Sequence, residues 1–112
     1  MKDINAGNLF HLGNMLDAMD AIEERLMLGF SEEVVKESTV FHLMTIGEAV
    51  TKLSDDLKNR YPDIPWQKIA GLRHKIVHEY YRIDYDQVET IVYGQLPHLH
   101  KQIESIIAEI SA

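Results

Sequence analysis

The chain has 112 residues and a mass of 12.9 kDa, 46% of it hydrophobic and 26% charged, the balance of one compact domain with a modest core and not of a disordered tail. It contains no cysteine, which excludes a disulfide scaffold, a cysteine zinc site and a thiol nucleophile and fits a reducing cytoplasm. Eighteen acidic against eleven basic residues give a net charge of -7, which argues against a protein that holds nucleic acid through bulk charge.

Met1-Lys2-Asp3-Ile4-Asn5 lacks the apolar run of a secretory signal, and no stretch approaches the roughly 20 apolar residues of a membrane span, so a soluble cytoplasmic protein is expected. Apolar residues recur at three and four and alternation never persists, which predicts an all-α fold, a single domain over 1-112. The first helix is expected from near Asp3, with Leu9, Leu12, Leu16, Met19, Ile22 and Leu26 on its inner face. Gly29-Phe30-Ser31 should end it, Gly29 in a left-handed turn and Ser31 as the next N-cap. A second helix then carries Val40, Leu43, Ile46, Val50, Leu53 and Leu57 inward as far as about Arg60, and the short turn predicts an antiparallel hairpin of two long helices.

Tyr61-Pro62-Asp63-Ile64-Pro65 cannot be helix interior, because its two prolines remove donors and push their predecessors to extended backbone. Pro65-Trp66 opens a third helix that runs to about His78 or Tyr80. Asp84, with Gln87 three residues on, reads as a capping box for a fourth. Val88, Ile91, Val92 and Leu96 face inward there, followed by Leu99, Ile103, Ile106 and Ile110, and Pro97 close behind Gly94 predicts a kink or a break. The expected architecture is an antiparallel bundle of four or five helices.

Charge is unevenly divided. Residues 1–57 and 83–112 are acidic, whereas residues 58–82 hold Lys58, Arg60, Lys68, Arg73, Lys75 and Arg82 against Asp63 and Glu79, a net +4. A short cationic stretch on an acidic body suits a pocket for a few phosphates better than a groove along a duplex. Within it, Gly71-Leu72-Arg73-His74-Lys75-Ile76-Val77-His78-Glu79-Tyr80-Tyr81 carries the chemistry. Arg73 and His78 lie about 140° apart on a helix, near enough for a long arginine to reach a site beside the histidine. Histidine takes and returns a proton near neutrality and arginine clamps phosphate with a fixed fork of donors. Together they supply a base for a 2'-hydroxyl and a cation for the charged transition state of RNA cleavage, without a metal.

Arg73, four residues, His78, one residue and Tyr80 make an R-x4-H-x-Y pattern, preceded by Ile46-Gly47-Glu48-Ala49 and Ile64-Pro65-Trp66 and followed by Tyr81-Arg82-Ile83-Asp84. In that order the motifs resemble the HepT-like branch of the HEPN superfamily over roughly residues 5 to 110, and the polar His74 after Arg73 suits the same pattern. The resemblance implies a small α-helical, metal-independent ribonuclease, the toxin of a toxin-antitoxin pair, acting as a homodimer with two active sites at a shared cleft. It further implies a partner, an MntA-type nucleotidyltransferase antitoxin that silences the toxin by attaching AMP to a tyrosine. Carried onto this chain, Arg73 and His78 match the catalytic pair and Tyr80 the modified tyrosine, with Tyr81 a second hydroxyl beside it. A nucleotide two residues from the catalytic histidine would block RNA and repel its phosphates.

Glu48 lies on the otherwise apolar face of the second helix, placed to hold the fork of Arg73, while Gly47 and Ala49 allow a neighbouring helix to approach. His74 and His78 have the spacing of a metal pair, but no third ligand supports them and no HExxH motif is present, so neither a metal nor a cofactor is expected. His98 and His100 point to different faces, His11 and His42 read as interfacial or core, and Trp66 and Tyr61 read as core aromatics more than base-stacking ones. Two other classes compete with the enzyme: a silent HEPN module that binds nucleotide or RNA or docks substrate for a nucleotidyltransferase, and a helical adaptor, which leaves the charge reversal unexplained.

Overall fold

A computed structural model describes residues 5–112. Among them the fold is all-α, as the periodicity predicts: α1 (Asn5–Leu26), α2 (Glu33–Thr51), α3 (Asp55–Arg60), α4 (Trp66–His78), a single 3-10 turn (Tyr80–Arg82), α5 (Tyr85–Gly94) and α6 (Leu96–Ser111). A helix start near Asp3 lies outside the described residues. In packing order α4 lies on α2, α2 on α1 and α1 on α6, with α5 beside α6. Leu12, Met15, Met19, Ile22, Leu43, Ile46 and Ile103 are buried almost completely at the centre, and full burial of one such side chain is worth about 1.5–3 kcal/mol. No helix among the described residues is long and apolar enough to cross a membrane.

The first turn forms as expected, with Gly29 at φ 97° in the left-handed region. Ser31, however, does not cap α2; the N-cap is Glu32, in extended backbone and without a side-chain cap bond. α1 and α2 then run antiparallel, since Arg25 meets His42 at one end and Asn8 meets Ser54 at the other.

The expected second helix, continuous to Arg60, is two helices. α2 stops at Thr51, and Ser54 starts α3 by accepting from the Leu57 amide at 3.2 Å. Ser54 is fixed from outside as well: its amide donates to Asn8 Oδ1 and its hydroxyl accepts from Asn8 Nδ2, both at 3.0 Å. Leu53 and Leu57 remain buried on either side of the break, so the apolar stripe survives an interruption it does not reveal. The described residues therefore hold six α-helices in place of four or five.

Two further connections fix α4. The indole Nε1 of the buried Trp66 donates to the carbonyls of Tyr61 and Lys58, at 3.0 and 3.2 Å, tying the start of α4 to the end of α3. Gly47 on α2 sits where a Cβ would meet the Arg73 amide nitrogen and the Ile69 carbonyl oxygen at 2.9 Å each. Only glycine permits that approach of two helix backbones.

Asp84 caps α5 by accepting from the amides of Asp86 and Gln87. The reciprocal half of the expected box gives way to another contact, because Gln87 Oε1 accepts from Lys75 Nζ at 3.3 Å. The Pro97 region is a break and not a kink: α5 ends at Gly94, Gln95 is both its C-cap and the N-cap of α6, and Pro97 falls in the first turn of α6, where its missing N–H costs no helical bond. α6 returns along α1, where His100 bonds Asp20 at 2.8 Å and Glu104 at 3.1 Å.

Candidate active site

Arg73 is presented by the face of α4 that Gly47 draws against α2. Its Nε binds the Glu48 carboxylate, the pairing that an acid on the apolar face of α2 makes possible, and Lys52 approaches the same carboxylate from one turn on at 3.9 Å. Both partners are less than half exposed, so the ion pair lies at the edge of the interface and is partly screened by solvent. A guanidinium carries five N–H donors, more than one carboxylate can occupy, and this arrangement aims the fork while leaving donors for a phosphate.

Arg73 and Glu48 border a concavity of about 460 Å³ between α1, α2 and α4. His74 and His78 lie outside its lining. They sit one turn apart on the solvent side of α4 with ring centroids 4.3 Å apart and planes tilted by 45°. His78 is the last helical residue, and the Glu79 amide that follows donates back to the Lys75 carbonyl at 2.8 Å. Within one chain the arginine and the histidine therefore share a helix but not a pocket.

Tyr80 opens the 3-10 turn, 55% exposed, and meets Tyr81 edge to face. It lines a shallow concavity of about 290 Å³ with Glu37, Phe41, Met44 and Val77. Burial first, with Tyr80, Glu33 and Glu37 adding to it, pushes the nearby Tyr85 hydroxyl above its usual range. Tyr81 is 98% exposed. Among the described residues no group of three or more histidines and carboxylates is arranged as a metal site. Trp66 is core, as its position after the proline turn predicts.

Sequence reasoning passed over the residues facing Arg73. Phe10 and Asn14, one turn apart on α1, line its concavity with Thr45 of α2 and Lys52, the residue that caps α2. The available signal is an aromatic off the apolar stripe. The Asp20–His100–Glu104 cluster was missed too, and only its i, i+4 half, His100 and Glu104, was visible in the chain.

The family model described as Ribonuclease HepT-like matches residues 15–106, and the chain belongs to that family, a branch of the HEPN superfamily. A protein of Methanocaldococcus jannaschii with a provisional RNase name is 36% identical over 110 residues, which cover 97% of this chain and 91% of the relative. A Caldanaerobacter subterraneus protein with the same kind of name is 30% identical over 87% of this chain and 91% of its own length. "Probable ribonuclease HepT" of Thermococcus cleftensis is 28% identical over 86% of this chain and 92% of its own length. No solved structure matches.

Proposed function

We infer that this HepT-like protein is a metal-independent endoribonuclease, the toxin of a toxin-antitoxin pair. The observation that carries the reading is the Glu48-held Arg73 on the helix that ends at His78. In the proposed reaction His78 takes the proton of a ribose 2'-hydroxyl, the 2'-oxygen bonds to the adjacent phosphorus, and the P–O5' bond breaks. The 5'-oxygen leaves with a proton returned by an imidazolium. Arg73 balances the charge that grows on the non-bridging oxygens, and it does so with little rearrangement because Glu48 has already set its fork. His74, with its ring against His78, steadies the imidazole.

A homodimer is part of the same proposal. Arg73 and His78 lie about 140° apart around α4, and Phe41 and Val77 are exposed beside Tyr80. A second copy covering those apolar side chains would bring two α4 helices to one cleft and pair the arginine of one with the histidine of the other. Regulation is proposed through Tyr80, exposed and two residues beyond His78. An MntA-type nucleotidyltransferase would attach AMP there, and the added phosphate and bulk would exclude RNA.

The test is cleavage of labelled transfer and messenger RNA in EDTA by protein expressed without a partner and shown by mass spectrometry to be unmodified. Wild type should cut, and Arg73→Ala and His78→Ala should not. Unmodified wild type that binds RNA or nucleotide and cuts nothing would replace this reading with a docking module.

A further inference from the structure

We propose that the concavity beside Arg73 is a nucleobase subsite, in which Phe10 stacks an unpaired base of the RNA while Arg73 and Lys52 take the adjoining phosphate. The proposal rests on the ribonuclease reading for its choice of ligand, but its geometry stands by itself. Three helices contribute. Phe10 and Asn14 are one turn apart on α1, Thr45 and Glu48 lie on α2 with Lys52 at its C-cap, and Arg73 comes from α4.

Each group suits one part of a nucleotide. Phe10 is 65% exposed, an expensive way to display a phenyl ring that no core contact requires, and the neighbouring His11 ring stands nearly perpendicular to it, centroids 5.2 Å apart. An exposed ring with a flexible apolar neighbour, Met44, is a platform on which any base can stack. Asn14 offers both a donor and an acceptor to a base edge. Arg73 and Lys52, gathered by the single carboxylate of Glu48, leave the cluster with one net positive charge for a phosphate. The space, about 460 Å³, holds one nucleotide. Single-stranded RNA is recognised in this way, by splayed bases on aromatic rings with the backbone on cations.

The experiment titrates the full-length protein with a 2'-O-methyl trinucleotide, which cannot be cleaved through its 2'-oxygen, followed by calorimetry. A second trinucleotide is abasic at its centre. Phe10→Ala should weaken binding of the intact trinucleotide about five- to hundredfold, Phe10→Trp should restore it, and the abasic compound should bind both wild type and Phe10→Ala equally weakly. Equal affinity of wild type for intact and abasic compounds overturns the proposal without any variant, should Phe10→Ala fail to fold. So does a Phe10→Ala protein that binds normally but changes its sedimentation, which would make Phe10 a protein contact. Base-dependent binding by a wild type that cuts no RNA keeps the subsite and overturns the ribonuclease reading. Cleavage without base dependence does the reverse.

Discussion

The carboxylate of Glu48 reaches across the α2–α4 interface to the Nε of Arg73. It does so one residue after Gly47, the position at which the two backbones come too close for a Cβ. Glycine sets the distance between the helices and glutamate sets the direction of the arginine.

Gly47→Ala should therefore destabilise the fold. The new methyl would stand 2.9 Å from backbone atoms of Arg73 and Ile69, which cannot rotate away, and overpacking of this kind costs about 1–3 kcal/mol. The melting temperature should fall by about 5–15 °C. Gly71, on the same helix as Arg73, has nothing within 4 Å of its Cβ position, so Gly71→Ala should instead raise stability, by up to about 1 kcal/mol of helix propensity. Paired thermal melts check the opposite signs.

Glu48→Ala should act on catalysis more than on stability. The pair is half exposed and contributes about 1 kcal/mol at most, but a guanidinium free to swing loses about ten- to hundredfold in turnover. Glu48→Gln, which keeps an acceptor for Nε, should recover part of that loss. Turnover and melting temperature measured on both variants separate positioning from folding.

Much of this arrangement is legible in the chain. Periodicity finds the long helices, the two prolines find the connector, and the isolated acid within Ile46-Gly47-Glu48-Ala49 points to Arg73. The break at Ser54 escapes because Leu53 and Leu57 keep the apolar spacing, and the partner that fixes it, Asn8, is 46 residues away. Phe10 escapes for a related reason: an exposed aromatic gains its meaning from the helices around it, and periodicity records only the face that is buried.

The Asn8–Ser54 link should behave as one cooperative unit. Asn8→Ala and Ser54→Ala each remove a buried or capping partner and should cost about 1–2 kcal/mol. The double variant should cost less than the two together by more than about 0.5 kcal/mol. Denaturant unfolding of the four proteins gives the coupling directly.

His100 makes stability depend on pH. Burial works against its charged form, but the hydrogen bonds and charges of Asp20 and Glu104 outweigh it and hold the imidazole above its ordinary value. A group raised on folding stabilises fully below its unfolded value and loses that contribution as pH rises through the folded one. Melting temperature should thus fall as pH rises above the ordinary histidine value of about 6.5, and His100→Gln should flatten that slope.

The most direct test of the account is the chemistry of the RNA ends left after cleavage in EDTA. Attack by the neighbouring 2'-oxygen, with His78 as its base and Arg73 as its counter-charge, predicts 2',3'-cyclic phosphate and 5'-hydroxyl ends and no cut at a site whose ribose is 2'-deoxy. Ends bearing 3'-hydroxyl and 5'-phosphate, or cleavage unaffected by the missing 2'-hydroxyl, would contradict it.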